Sequence, residues 1–409
     1  MIALVRRTGE PWLDPASYWA GLSAATAALD TPFGAISIPA LAHNAFDMLD
    51  RAGGRTIRVA SKSVRVRGVL EAVLALEGYH GVLAFTLPEA LWLAETIDDV
   101  VVGYPTADRT ALATLASSAK LAGRVTLMVD SVAHLDFIDS VAAAGKRENI
   151  RVAIDLDASW NSRLLGFLGV YRSPVHEVGE AMALARAIVE RPGFTLVGMM
   201  SYEAQIAGVT NRPTGRPFLA RTVDYVQSHS TTELHERRGR VVAAVRDLTD
   251  LEFVNGGGTG SLESTSKDPS VTEIGAGSGL FGPHLFDGYG HFQPAPAAAF
   301  ALSVVRKPTP DMVTLLGGGW IASGPPSDDR MPQPAWPAGL TYVRREMAGE
   351  VQSPLRGAAA TGLSVGDRVW LRHTKAGELS EHLAEFAMVD GDRIVDTMQT
   401  YRGEGHAFL

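Results

Sequence analysis

The sequence predicts an α/β fold: a (β/α)8 barrel of the TIM type followed by an all-β domain. Three observations carry this expectation. Between about Arg55 and Ser278, eight short β-branched runs alternate with alanine-rich amphipathic stretches, as strands do when each is followed by a covering helix. From about Phe300 the helical period fades, and strand-like runs punctuated by Gly-Asp turns replace it. A length of 409 residues exceeds one ordinary core and calls for two domains.

The eight candidate barrel strands are Ile57–Ser61, Val82–Phe85, Val100–Tyr104, Val125–Val129, Val152–Leu156, Thr195–Ser201, Leu251–Val254 and Val271–Ile274. Gly68–Leu76, Thr110–Leu121, Val132–Ala144 and Val178–Val189 carry helical patterns between them. A doubly wound sheet alternates in a similar way; the count of eight favours the barrel. In the second domain the runs are Phe300–Val305, Met312–Leu316, Arg368–Arg372, Glu385–Val389 and Arg393–Met398, with turns at Gly366–Asp367 and Gly391–Asp392. The proline-rich stretch Gly324–Gly339 reads as an ordered irregular loop. The boundaries that follow are 31–285 for the barrel, with 1–30 and 286–409 forming the β domain.

Composition narrows the function. Hydrophobic residues make up 46% and charged residues 20%, the balance of a globular chain. A net charge of −8 gives no electrostatic footprint for nucleic acid, yet it permits a local positive pocket for an anion. The absence of cysteine rules out disulfides, a thiolate nucleophile and Cys-ligated zinc. The opening MIALVRRTGEPWLDP places its apolar residues before its arginines, the reverse of a signal peptide. No apolar run approaches the roughly 18 residues of a membrane span, so a cytoplasmic location is expected. Lysine is scarce: Lys62, Lys120, Lys146, Lys267, Lys307 and Lys375 are the candidates for any lysine-dependent chemistry.

Lys62 follows the first candidate strand, in Ile57-Arg58-Val59-Ala60-Ser61-Lys62. Barrel active sites lie at the C-terminal strand ends. A partly buried amine there can form a Schiff base with an aldehyde; a solvated lysine is the bland alternative. Two glycine turns bear on the choice. Gly256-Gly257-Gly258-Thr259-Gly260-Ser261 follows strand seven, and Gly275-Ala276-Gly277-Ser278-Gly279 follows strand eight. Glycines let backbone N–H groups approach a phosphate, and Thr259 and Ser278 add hydroxyls. Neither turn is a Walker loop or a dinucleotide fingerprint. Two such turns where barrels place phosphate sites favour a phosphate over mere tight turns. A phosphate site and a strand-end lysine together are what pyridoxal phosphate (PLP) requires.

On these residues the chain resembles the D-threonine aldolase and D-serine dehydratase group, which shares the alanine-racemase-type barrel of fold type III PLP enzymes. The resemblance runs from about Thr31 to Arg402. It is carried by Thr31-Pro32, Ile36–Pro39, His43-Asn44, Val59–Lys62, Pro88-Glu89-Ala90, Gly257-Gly258-Thr259-Gly260 and Gly366-Asp367-Arg368-Val369. It implies that Lys62 is the Schiff-base lysine and that Gly257, Gly258, Thr259 and Gly260 hold the phosphate, with Gly277 and Ser278 on its other side. It also implies that Arg163, after strand five, reaches the cofactor region and perhaps the pyridine nitrogen, where an arginine leaves the ring a weaker electron sink. A surface ion pair is the rival role for Arg163. Tyr202 lines the cofactor or else belongs to the core. Glu203 and Gln205 share its strand end without an assigned role.

His373, in Trp370-Leu371-Arg372-His373-Thr374-Lys375, matches a family metal ligand whose partner, an Asp or Cys, stands two residues later. Here that position is Lys375, a cation, so no divalent metal is expected. Lys375 would then serve in the metal's electrostatic place, with His373 as base for the β-hydroxyl; an ion pair of Lys375 with Glu378 or Glu381 is the structural alternative. Val59-Ala60-Ser61 departs from the family's histidine-containing lysine strand, which points to a different substrate.

The expected activity is a PLP-dependent lyase acting on β-hydroxy amino acids, in the D series by resemblance. It would proceed by aldol cleavage or dehydration, with Lys62, His373 and Lys375 as catalytic residues and a homodimer as the assembly. The alternatives are a PLP-dependent racemase, a non-catalytic PLP-binding protein and a sugar-phosphate barrel.

Overall fold

The structure is a computed structural model that describes residues 2–212, 217–325, 327–375 and 377–409. The chain divides into two compact units. The barrel unit comprises Met48–Lys62, Leu74–Gly277 and Phe408–Leu409; the sheet unit comprises Met1–Asp47, Ser63–Val73 and Ser278–Ala407.

Eight parallel strands close the barrel: Thr56–Ala60, Tyr79–Ala84, Val100–Val102, Val125–Val129, Ile150–Asp155, Phe194–Ser201, Phe253–Gly256 and Glu273–Ala276. Each overlaps one of the sequence-derived runs. Those runs are legible because parallel barrel strands are covered on both faces and read as unbroken apolar stretches. Strands three, four and seven are buried throughout. Inside the barrel, Val101, Met128, Ala153, Val197, Met200 and Phe253 pack as one cluster. Gly198 makes room for the Phe253 ring, since a Cβ there would lie 2.4 Å from Phe253 Cζ.

Polar caps set the helix boundaries. The Thr86 and Asp108 side chains accept the backbone N–H of Glu89 and Ala111 and start their helices. The single pattern Thr110–Leu121 is two helices, Arg109–Ala116 and Ala119–Arg124, because Ser118 caps the second by accepting Leu121 N–H at 3.3 Å. The 30-residue helix Pro217–Arg246 had no counterpart in the sequence reading. Its apolar residues Leu234, Val241, Val242 and Val245 share the buried side with Arg237 and Arg238, which breaks the hydrophobic period. Among the described residues no helix is long and apolar enough to cross a membrane.

The barrel closes between strands eight and one, with Glu273 opposite Thr56 and Ala276 opposite Val59. A buried ion pair spans this seam. Arg58 Nε and Nη2 donate to Glu273 Oε1 and Oε2 at 2.7 and 2.9 Å, and Nη2 also reaches Asp99 Oδ2 at 2.8 Å. Asn255 of strand seven donates to Glu273 at 2.9 Å. Burial opposes the Arg58 charge, but Glu273 and Asp99 outweigh it and hold the guanidinium more firmly protonated than usual.

In the sheet unit a nine-stranded sheet runs, along its main path, through Thr341–Tyr342, Gln352–Arg356, Met312–Leu316, Ala298–Thr309, Phe33–Ser37, Glu385–Asp390 and Arg393–Gln399. Arg368–Arg372 joins Ala298–Thr309, and Gln333–Trp336 joins Arg368–Arg372. The proline-rich stretch 324–339 therefore contains a strand as well as the short turn Asp328–Arg330. Phe33–Ser37 lies past the boundary set at residue 31, yet it pairs in this sheet with Ala298–Thr309 and Glu385–Asp390. All five of its residues are buried, so it shows no alternation to read. The helix Pro15–Ala25 packs Tyr18, Trp19 and Leu22 with Phe33 and Trp370, and Trp370 Nε1 donates to Ser23 Oγ at 2.8 Å.

Removing one partner of the seam pair leaves a buried charge poorly compensated. Glu273→Gln is expected to cost about 3 kcal/mol of stability, measured by urea denaturation. A loss below about 1 kcal/mol, the level of an exposed pair, would show that the pair does not secure the seam.

Candidate active site

The C-terminal strand ends of the barrel unit gather an amine, two phenols, an arginine and a glycine turn. Lys62 sits in the single turn Ser61–Ser63 just past strand one. Ser61 is buried and donates from Oγ to Leu83 O at 3.2 Å, which fixes that turn to strand two. Lys62 is half-buried, and its Nζ donates to Tyr104 Oη, just past strand three, at 3.2 Å. Arg172 Cζ lies over two rings, 4.9 Å from that of Tyr104 and 5.4 Å from that of Tyr202.

This positive pair acts on its neighbours. Burial would raise the Tyr104 phenol; Lys62 and Arg172 outweigh it and hold it below its ordinary value. Burial, with Tyr104 adding, pushes Tyr202 up to about 12 against the pull of Arg172. Asp155 ends strand five and is buried. Burial raises its carboxyl to about 7; Arg172 opposes this, while Asp130 and Asp157 add to it.

The glycine turn after strand seven starts at Gly257, whose φ of +75° suits glycine. A Cβ at Gly257 would lie 2.8 Å from Ile274 Cγ2 and 2.9 Å from Thr265 Oγ1. Gly258 packs against Tyr202: a Cβ there would lie 3.3 Å from Tyr202 Cε2. Ser261 N–H donates to Gly258 O at 3.0 Å, and Arg51 Nη2 clamps Thr259 O at 2.7 Å. After strand eight, Gly277 is required by packing, because a Cβ would come within 2.2 Å of Ala60 O. Ser278 begins the sheet unit.

The structure thus brings Lys62, Tyr202, Gly257, Gly258, Thr259, Gly260 and Gly277 to one end of the barrel unit. Arg163 stands elsewhere: it is exposed, in the turn between the hairpin strands Trp160–Ser162 and Gly166–Leu168. Arg237 holds the backbone before this hairpin by donating to Asp157 O at 2.7 Å and Ser159 O at 2.9 Å. The chain then returns with Arg172, which lies over the Tyr104 and Tyr202 rings. Tyr104, Asp155 and Arg172 were not singled out. Tyr104 and Asp155 close apolar runs at strand ends, which was a usable signal; Arg172 follows a hairpin and gave none.

His373 belongs to the sheet unit and is buried with neither ring nitrogen hydrogen-bonded. Burial pushes its imidazole down to about 4, with Glu378 pulling the other way. Lys375 is half-buried. Glu378 Oε1 accepts the backbone N–H groups of Thr374 and Lys375 at 3.1 and 2.9 Å. Glu381 pairs with Arg65 and Arg402. The acids near His373 are therefore committed, and the residue two positions on is a cation, so this donor set does not fit a divalent metal. Among the described residues no group of three His, Cys, Asp or Glu side chains is placed to hold one.

Residues 36–284 match the model of the alanine racemase N-terminal domain. The chain is 25% identical over 282 residues to a D-threonine aldolase from Arthrobacter sp., covering 65% of this chain and 64% of that protein. It is 29% identical over 262 residues to a 3-hydroxy-D-aspartate aldolase from Paracoccus denitrificans, covering 62% and 60% respectively. These matches span less than two thirds of either relative's length. The crystal structure of D-threonine aldolase from Filomicrobium marinum superposes with a TM-score of 0.74 at 20% identity, over 91% of this chain and 95% of that one. At that identity the likeness establishes the fold.

Asp155 supplies a test of the site's electrostatics. Its carboxyl titrates near 7 in the folded protein against an ordinary 3.8, so between those values the folded protein holds a proton that the unfolded chain has lost. The stability this contributes is complete below about pH 4 and lost as pH rises through about 7. Asp155→Asn is therefore expected to gain stability near pH 8, with about 4 kcal/mol as the ceiling, and little near pH 4. Urea denaturation at the two pH values measures it; an equal effect at both would contradict the burial argument.

Proposed function

The chain belongs to the alanine racemase N-terminal domain family, and from that premise we propose that it is a PLP-dependent lyase of fold type III acting on β-hydroxy D-amino acids by aldol cleavage or dehydration. The observation that carries this reading is the grouping at one end of the barrel: Lys62 bonded to Tyr104, Arg172 over Tyr104 and Tyr202, and the Gly257–Gly260 turn packed on Tyr202. The names of the two relatives supply the substrate class.

These residues fit the cofactor. Lys62 offers a primary amine for its aldehyde. Gly257, Gly258, Thr259 and Gly260, with Gly277 and Ser278, form the phosphate turns. Arg172 and Tyr202 line the ring, Arg172 in the role expected of Arg163. When bound, PLP supplies an electron sink for charge that develops at the substrate Cα. Lys62, once free of the cofactor, holds or returns the proton at Cα, and the Tyr104 hydroxyl positions its amine. His373 and Lys375 stand in the sheet unit; base for the β-hydroxyl and cation for the β-oxygen, without a metal, are the roles proposed for them. A racemase needs bases on both faces of Cα; Tyr104 is hydrogen-bonded to Lys62 and so shares its side. The protein is proposed to act in the cytoplasm as a homodimer.

The purified protein is expected to bind PLP with visible absorbance and to release an aldehyde or ammonia from a β-hydroxy D-amino acid. Lys62→Ala should remove the absorbance and lower turnover by roughly 10²–10⁴-fold from the lost proton transfer alone. Retained absorbance and turnover in that variant would overturn the reading.

The metal-free part has its own test. Full activity is expected after EDTA treatment. Activity lost to EDTA and restored by manganese or zinc would contradict it.

A further inference from the structure

Strand six ends at Ser201, and the next two residues diverge. Tyr202 packs on Gly258. Glu203 is buried, with 2% of its surface exposed. Its carboxylate is divided between the start of the glycine turn and the short helix Leu262–Thr265 that follows it. Oε2 accepts Gly257 N–H at 2.9 Å, and Oε1 accepts the Thr265 hydroxyl at 2.6 Å. Thr265 Oγ1 in turn lies 3.1 Å from Ser261 Oγ, which accepts Gly258 N–H at 3.2 Å. A buried arginine beside Glu203, Arg238, makes its short bond to Asp268 at 2.8 Å and lies 3.5 Å from Glu203.

We infer that Glu203 is the positioning residue of the phosphate turn; this rests on the reading that the barrel binds PLP. Three of the turn's amides, those of Gly257, Gly258 and Ser261, are engaged within the protein. Glu203 holds the Gly257 amide and the hydroxyls it organises hold that of Gly258, while Ser261 N–H is held by Gly258 O. The work requires a polar side chain that reaches both groups. Two donors, one N–H and one O–H, meet two different oxygens. A glutamine could keep both contacts, because the Thr265 hydroxyl can accept from its NH2 and turn its own hydrogen to Ser261 Oγ; a leucine keeps neither.

Positioning and plain electrostatics predict opposite signs. A negative charge beneath a phosphate site repels the phosphate, so a purely electrostatic role makes Glu203→Leu tighten the cofactor. The positioning role makes it loosen the cofactor through the phosphate alone. Binding of PLP and of phosphate-free pyridoxal to the wild type and the variant, followed by visible absorbance, separates them. Glu203→Leu is expected to weaken PLP by about tenfold or more and to leave pyridoxal within about twofold. Thr265→Val removes one of the two grips, so the same selective loss, smaller in size, is expected. It provides the reading if Glu203→Leu does not fold. Tighter PLP binding, or an equal loss for both ligands, would overturn the inference. A wild type that binds PLP and variants with an unchanged PLP-to-pyridoxal ratio would overturn it while leaving the cofactor reading intact. A wild type that binds neither ligand would remove both.

Discussion

The ion pair between Arg58 and Glu273 secures the seam on which the barrel depends. A sheet of eight parallel strands becomes a barrel only when its last strand pairs with its first, and here both partners of that closure carry one end of a buried, two-pronged contact. Such a pair offers less net stability than its Coulomb energy suggests, because both charges leave water. Its geometry is demanding, however, and a one-residue slip of either strand would turn its side chain to the other face and leave the partner's charge stranded. Further along these two strands stand Lys62 and Gly277. The contact that sets the register at one end therefore sets the spacing of amine and glycine turn at the other.

A second constraint is the economy of positive charge. The chain carries a net charge of −8, yet Lys62 and Arg172 face Tyr104 together and lower its phenol. Asp155, beside Arg172, stays largely uncharged up to near pH 7 because burial outweighs the arginine. The cations of this strand end are thus left less neutralised than a count of nearby acids implies, as an anionic ligand requires. The buried acids Glu203 and Asp268 are occupied in holding the glycine turn and Arg238.

The barrel was legible in the sequence because its strands are buried on both faces and their runs end in polar residues at the functional rim. Lys62, Tyr202 and the Gly257–Gly260 turn were visible for the same reason: each abuts such a run. What escaped the reading has a physical account in each case. Phe33–Ser37 is a short, wholly buried strand whose partners lie far along the chain. The helix Pro217–Arg246 hides its period by burying arginines. Arg172 is separated from strand five by a hairpin whose outward course depends on Arg237, a residue distant in sequence. Glu203 was seen at its strand end, but its role depends on contacts with Gly257 and Thr265 that no local pattern announces.

The account rests on Lys62 as the covalent anchor of PLP. Six lysines are present in the chain, so the claim can be read off one by one. Reduction of the PLP-loaded protein with borohydride, followed by peptide mapping, is the most direct test. The account predicts one pyridoxyl group per chain, on the peptide that carries Lys62. Stoichiometric labelling of any other lysine, or a loaded protein that yields no labelled lysine, would contradict it.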